Sequence, residues 1–170
     1  EYSGQVADSH RVQVGESIGN FYGFKVVDVD SEGRWIYEDR NGELVNYKDF
    51  THAPEDKHVI GNGLPKWYAG CNNTLRYKNF DLNVTMRGAF GFQIINGGRM
   101  NYENVKNSRF ENRLKSVNDL VFGKHTLSPE VEPEFNSYYV EDGDYWKIDN
   151  ITLGYSFGQV GKYIKSLRIY

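Results

Sequence analysis

One strict alternation near the end of the printed sequence limits the fold more than any other feature. Apolar side chains recur at every second position, at Ile151, Leu153, Tyr155 and Phe157. The positions between them are polar or small, and they are Asn150, Thr152, Gly154 and Ser156. Successive side chains of a strand point to opposite faces, so this period predicts a strand with one apolar and one polar face. Aromatic residues at the end of the apolar face are typical of strands that stop at a membrane interface.

A second alternation predicts a hairpin upstream. Two segments of about 11 residues, 67–77 and 80–90, alternate in the same way around a short turn. Each would extend roughly 36 Å at about 3.3 Å per residue. With a tilt of about 40°, that length spans roughly 28 Å, close to the thickness of a bilayer's hydrocarbon core. Strands of a soluble sandwich are shorter, about five or six residues.

Composition excludes several classes of protein. The formal net charge is −3 and the basic residues are scattered, so nothing favours a nucleic-acid partner. Mean hydropathy is −0.66, and no apolar run approaches the length of a transmembrane helix. A transmembrane barrel remains compatible with such values, because its strands carry apolar residues only at alternate positions.

Four segments, in the same order, carry a resemblance to a known family. They are residues 19–25 (GNFYGFK), 59–66 (VIGNGLPK), 77–82 (YKNFDL) and 138–157 (YYVEDGDYWKIDNITLGYSF). These segments are similar to sequences of the SusC/RagA family of TonB-linked outer-membrane transporters. The resemblance implies an all-β fold, namely antiparallel strands belonging to a transmembrane β-barrel of about 22 strands with long extracellular loops. It also implies that the chain is the C-terminal part of a longer protein, whose plug domain and N-terminus are absent here.

Connection lengths predict how the chain crosses the membrane. Barrels of this class have short periplasmic turns and long external loops. The predicted organisation is an extracellular loop and strand at 1–66, a transmembrane hairpin at 67–90, an extracellular loop at 91–144 and a second transmembrane hairpin at 145–170. Four residues at helical spacing predict a short amphipathic helix in the long loop, and they are Phe110, Leu114, Val117 and Val121.

The alternation assigns side chains to the two sides of the wall. Residues predicted to face the lumen are Asn83, Thr85, Arg87, Asn150 and Thr152. Residues predicted to face outer-membrane lipid are Leu82, Val84, Met86, Ile151, Leu153 and Tyr155. This division follows from the cost of polar side chains in lipid.

The resemblance implies import of oligosaccharides or peptides across the outer membrane of a Gram-negative bacterium. The partners it implies are a SusD-like surface lipoprotein, the rest of the barrel and plug, and the TonB complex. Aromatic rings beside polar groups hold sugars by stacking and hydrogen bonding. Five aromatics in predicted outer segments are therefore candidate ligand contacts, and they are Trp35, Tyr37, Tyr138, Tyr139 and Trp146. Anchoring at the membrane rim explains Trp146 equally well.

No catalytic or cofactor site is predicted. The four histidines lack metal-binding spacing and are expected at the surface, and Cys71 is the only cysteine. Two acidic loops, beginning at Asp28 and Asp39, have oxygen ligands at alternate positions. The first places Trp35 and Ile36 inside the loop, and the second has Leu44 where the turn glycine belongs. We therefore predict no metal, no cofactor and no enzymatic activity. Two alternatives remain open, a soluble carbohydrate-binding β-sandwich module and a structural barrel without TonB.

Overall fold

The computed structural model describes residues 9–106 and 112–170, and these residues are mostly antiparallel strand. The strands in chain order are β1 (Asn20–Val29), β2 (Trp35–Glu38), β3 (Leu44–Asn46), β4 (Lys57–Asn62), β5 (Trp67–Tyr77), β6 (Phe80–Phe90), β7 (Gln93–Ile95), β8 (Val140–Asp142), β9 (Tyr145–Phe157) and β10 (Leu167–Ile169). The chain forms two compact units. Unit 1 takes its described residues from 9–64 and 92–143, and unit 2 comprises 65–91 and 144–170. The predicted all-β, antiparallel fold is confirmed.

The helical elements whose bounds lie within 9–106 and 112–170 are short. They are helix α1 (Gly97–Tyr102) and the 3₁₀ turns Pro54–Asp56, Lys115–Asn118 and Ser137–Tyr139. Within 9–106 and 112–170, no helix is both long and apolar enough to cross a membrane. Helix α1 was not predicted, since it begins with Gly97-Gly98, which favours helix poorly. Its start depends on the Asn96 side chain, which accepts a hydrogen bond from the Arg99 N–H at 3.0 Å.

The amphipathic helix predicted around Leu114–Val121 is wrong for the described residues. Only a four-residue 3₁₀ turn forms there, and Leu114 before it is extended. Val121 is buried and bridges to His125, whereas Leu114 is 43% exposed. The apolar positions therefore do not share a face, and their helical spacing is coincidental. Phe110, the first residue of that pattern, lies outside the described residues.

Unit 1 is built on a four-stranded sheet in the order β3-β2-β1-β4. Alternate residues of β1 and β2 enter its core, including Phe24, Trp35 and Tyr37, which are fully buried. The segment 92–143 supplies the remaining core side chains, which include Met100, Val131, Phe135 and Tyr139. The long connection is therefore a packed part of unit 1 rather than an open loop.

Unit 2 is a separate four-stranded antiparallel sheet in the order β10-β9-β6-β5. β5 and β6 pair along their whole length, from Trp67 opposite Phe90 to Tyr77 opposite Phe80. β6 also pairs with β9, from Phe80 opposite Tyr155 to Ala89 opposite Tyr145. The strands that sequence alternation predicts at 67–77, 80–90 and 145–157 are present at these positions.

A β-bulge interrupts β9 and was not predicted. Thr85 pairs with Asn150, but the next residue, Met86, pairs with Ile148, so Asp149 is an extra residue. The insertion shifts the alternation by one position. Trp146 and Ile148 consequently share a face with Ile151 and Leu153, although two of these numbers are even and two are odd.

Candidate functional site

The apolar face of unit 2 forms a continuous surface across its strands. Residues directly opposite each other in an antiparallel pair point to the same face. By this register the face contains Asn73 and Gly88 and the following apolar residues: Trp67, Ala69, Cys71, Leu75, Tyr77, Phe80, Leu82, Val84, Met86, Phe90, Trp146, Ile148, Ile151, Leu153, Tyr155, Phe157, Leu167 and Ile169. Leu153 is 61% exposed and Ile151 is 60% exposed. An uncovered apolar surface of this kind marks a contact with another apolar phase or partner.

The polar face carries all five residues predicted to face a lumen. Asn83 pairs with Thr152 and Thr85 pairs with Asn150, so the register places them on one side with Arg87. The side chain of the bulge residue Asp149 also lies on this face. Its carboxylate lies 2.8 Å from Arg87 Nε and 3.2 Å from Lys147 Nζ. The polar face is thus a surface of ion pairs and amide groups directly behind the apolar one.

Aromatic contacts lie at both ends of the sheet. At one end the Phe90 and Trp146 rings stack with centroids 6.3 Å apart. At the other end, Tyr155 makes edge contacts with Phe80 and Phe157, each with centroids 4.6 Å apart. Trp146 therefore has a packing partner at the rim, and it remains 48% exposed. Paired aromatic belts separated by one strand length are typical of membrane-spanning strands.

Three of the five candidate ligand aromatics are interior residues of unit 1. Trp35 and Tyr37 are fully buried and Tyr139 is 2% exposed. Tyr37 stacks on Phe50 with centroids 4.2 Å apart, and burial raises the pKa of Tyr139. These rings are predicted in or beside outer loops, but Trp35 and Tyr37 lie on the core side of β2. In this conformation the three rings present no face to a ligand.

Tyr138 is the candidate that stays accessible in unit 1. Its half-buried ring lies 5.1 Å from the Arg99 guanidinium and 5.4 Å from the Phe122 ring. Arg99 also contacts Glu141 at 2.6 Å and Glu103 at 2.8 Å. The hydrogen bond to Glu103 does most to raise the pKa of Arg99; burial opposes it, and the hydrogen bond to Glu141 raises the pKa further. The contact of Phe122 with Tyr138 is not predictable from the sequence, because an isolated aromatic in a Gly-containing turn gives no periodic signal.

His52 is not a simple surface residue, contrary to the sequence prediction. Its Nε2 lies 3.1 Å from a carboxylate oxygen of Glu134, which is 5% exposed. The Tyr37 hydroxyl donates to the same carboxylate. Burial alone would lower the pKa of His52, but the hydrogen bond and charge of Glu134 raise it overall. The three side chains link β2, the chain after β3 and segment 92–143 in one buried polar contact.

Carboxylates of both acidic loops are already engaged: Asp28 pairs with Lys124, and Asp30 and Asp39 bind the backbone of their own turns. Asp30 accepts the N–H groups of Glu32 and Arg34, each at 2.9 Å. Burial would raise the pKa of Asp30, but the Arg34 backbone and side-chain hydrogen bonds lower it. Asp39 likewise accepts the Asn41 and Glu43 N–H groups at 2.8 Å, and the bond from Glu43 does most to lower its pKa. In the described ranges no three His, Cys, Asp or Glu side chains are grouped to hold a metal ion.

Comparison with known proteins supports the resemblance seen in the sequence. The chain is 28% identical to TonB-dependent receptor P3 of Formosa agariphila over 92% of its own length, and 27% identical to TonB-dependent receptor SusC of Bacteroides thetaiotaomicron over 88%. It covers only 17% and 15% of those two relatives. No family model matches the chain.

The fold has solved counterparts. A structure of the RagAB peptide transporter matches 88% of this chain with a TM-score of 0.73 and 17% identity, and the match covers 18% of that chain. A second structure, of the RagAB peptide importer in an open-open state, matches with a TM-score of 0.70. The predicted likeness to SusC/RagA-type TonB-dependent receptors is therefore confirmed. The proteins named in these matches are receptors and transporters.

Proposed function

From its likeness to SusC/RagA-type TonB-dependent receptors, we propose that this chain forms part of the barrel wall and outer loops of an outer-membrane transporter. The observation that carries the proposal is the two-faced sheet of unit 2. Its apolar face faces lipid, and its polar face, with Asn83, Thr85, Arg87, Asn150 and Thr152, faces the lumen. The sheet has two open edges, β5 and β10. In lipid, each unpaired backbone N–H or C=O group at a strand edge costs several kcal/mol. Both edges therefore pair with further strands of a closed barrel.

Unit 1 lies on the outer side of the membrane in this proposal. The two strands of the β5–β6 hairpin are joined by only Lys78 and Asn79, whereas 54 residues separate Phe90 from Tyr145. Short turns lie in the periplasm and long connections lie outside. The packed core of unit 1 makes this external part a rigid surface, which suits docking of a partner better than a flexible loop.

The transported ligand is an oligosaccharide or a peptide, and a SusD-like surface lipoprotein delivers it. Similarity to TonB-dependent receptor SusC and to the RagAB peptide transporter supports this proposal. Tyr138, which stays accessible in unit 1, is the ligand contact in this proposal, whereas Trp146 lies on the apolar face and anchors the membrane rim. The TonB complex and the plug act through parts of the receptor outside this chain.

A soluble carbohydrate-binding β-sandwich is the second candidate, and the exposure of unit 2 argues against it. A sandwich buries the apolar face of each sheet against the other. On β9, the central residues Ile148, Ile151 and Leu153 are all more than half exposed. The strands of unit 2 also reach 11 and 13 residues, about twice the usual length in soluble domains.

Single-cysteine labelling of intact cells tests the proposed sidedness. Glu132→Cys places a thiol on an exposed residue of unit 1, and Asn79→Cys places one at the exposed hairpin turn of unit 2. Both changes are made with Cys71→Ser in the full receptor. We expect a membrane-impermeant maleimide to label Glu132→Cys on intact cells and to label Asn79→Cys only after lysis.

Lysed cells provide the control, since both thiols must react there to show that each is accessible. The reverse pattern on intact cells would invert the topology. Labelling of both sites on intact cells would contradict a membrane-spanning unit 2.

A further inference from the structure

A basic cavity lies at the turn end of the polar face of unit 2. Its volume is about 340 Å³, and the side chains around it that carry charge are Arg76, Lys78, Asp81 and Arg168. Asn79 and Ser156 complete the polar lining, and the Ser156 N–H donates to the Asn79 carbonyl at 2.8 Å. This hydrogen bond ties the hairpin turn to β9. The cavity is therefore formed by the four neighbouring strands of unit 2 and the hairpin turn, rather than by a single loop.

Both carboxylate oxygens of Asp81 accept hydrogen bonds from Arg168, one of the three cationic side chains around the cavity. Arg168 Nε donates to one oxygen of the Asp81 carboxylate at 3.2 Å, and a terminal guanidinium nitrogen donates to the other oxygen. The pair crosses above β9 at Gly154, where an added Cβ would lie 2.7 Å from the carboxylate. A two-point pair of this geometry holds the carboxylate oriented toward Arg168.

Arg76 and Lys78 supply positive charge in excess. Arg76 stands opposite Asp81 in the strand ladder, yet in the described part of the chain neither Arg76 nor Lys78 has a carboxylate within ion-pair distance. Three cations around one carboxylate leave a net charge of about +2 in the cavity. Surplus charge beside a polar cavity attracts an anion of complementary size.

Lys78 belongs to both the hairpin turn and the cavity lining. It is the first residue of the two-residue loop between β5 and β6, and its φ of +52° is the conformation that such a loop requires. The backbone of the turn therefore fixes where this lysine begins, and its ammonium lies 5.4 Å from the Tyr77 ring.

We propose that this cavity binds a carboxylate or phosphate group, with Arg76 and Lys78 as its donors and the Asp81–Arg168 pair as its fixed wall. Guanidinium groups bind both kinds of anion through paired hydrogen bonds. The anion comes either from a small dissolved ligand or from an acidic side chain elsewhere in the intact receptor. All residues around the cavity belong to unit 2. The proposed anion site is therefore the same for either orientation of the sheet in the membrane.

Site-resolved arginine modification of the full receptor tests the proposal. Phenylglyoxal reacts with accessible guanidinium groups, and mass spectrometry reports the rate at each arginine. Arg87 is the internal control, because it is exposed on the same face but already pairs with Asp149. We expect millimolar inorganic phosphate to slow modification of Arg76 several-fold, with Arg87 unchanged and with sodium chloride of equal ionic strength ineffective. Lys78→Gln should weaken that protection.

Two other outcomes are informative. If Arg76 reacts slowly without phosphate and high salt releases it, an acidic side chain of the receptor occupies the cavity, which supports the site and identifies the source of the anion. If Arg76 reacts at the rate of an unpaired arginine and phosphate has no effect beyond that of chloride, the proposal is overturned. The labelling of Glu132→Cys and Asn79→Cys is independent of this result, so the two proposals fail separately.

Discussion

A Cys71→Arg variant of the full receptor is expected to assemble poorly in the membrane. Cys71 lies midway along β5 on the apolar face, opposite Met86, which in turn lies opposite Ile148. An arginine facing lipid near the bilayer midplane costs about 2–4 kcal/mol. Since about 1.4 kcal/mol changes an equilibrium tenfold, the equilibrium constant for folding into the membrane should fall by more than an order of magnitude, and less folded receptor should accumulate. The loss is measured from the heat-modifiable gel mobility of folded receptor in outer-membrane fractions.

Asn72→Arg is the matched control for this change. Asn72 is the next residue on the same strand, is equally exposed and belongs to the polar face, where Thr85 donates to its amide oxygen at 3.2 Å. The arginine would there project into water beside other polar groups, so assembly should be near that of the parent receptor. Equal loss in both variants would contradict the assignment of the two faces.

Gly88→Ala is expected to have the second large effect, by blocking the contact between β6 and β9 at the aromatic rim. A Cβ at Gly88 would lie 2.5 Å from the Trp146 ring, 2.8 Å from the Phe90 ring and 2.7 Å from the Tyr145 carbonyl oxygen. The carbonyl belongs to the backbone of the neighbouring strand, so it can move only if the ladder moves. Overpacking of this kind costs about 1–3 kcal/mol. Gel mobility after stepwise heating should show earlier unfolding of Gly88→Ala.

Gly70→Ala separates this steric effect from the general effect of replacing a strand glycine. The nearest atom to a Cβ at Gly70 is 4.0 Å away, so the methyl group fits without any shift. We expect Gly70→Ala to unfold at the temperature of the parent receptor. Indistinguishable unfolding of the two alanine variants would show that the packing of Trp146 over Gly88 is not as the structure has it.

The strands of unit 2 were predictable from the sequence because each carries its own signal. Alternation over 11 residues has one structural meaning, and the hairpin 67–90 and the strand 145–157 form where the pattern places them. The bulge at Asp149 was not predictable from alternation. A one-residue insertion exchanges the two faces for the residues that precede it. Trp146 and Ile148 are therefore out of phase in the sequence with Ile151 and Leu153, although all four share a face.

Unit 1 was harder to predict because its core comes from distant segments. The sequence predicts ligand contact for Trp35 and Tyr37 because they lie in or beside predicted outer loops, next to polar residues. Their burial depends on Val131, Phe135 and Tyr139, about 100 residues away, which pack against the same sheet. The contact of His52 with Glu134 is equally nonlocal. No local period encodes such pairings.

The central claim is that unit 2 is a membrane wall with one face in lipid and the other in water. Spin labels at Cys71 and, in a Cys71→Ser background, at Asn72→Cys test it most directly, because the two adjacent sites differ only in face. In the full receptor in bilayers, oxygen should relax the label at Cys71 more than a water-soluble nickel chelate does. The label at Asn72→Cys should show the opposite preference. Equal access of the nickel chelate to both labels would contradict the account.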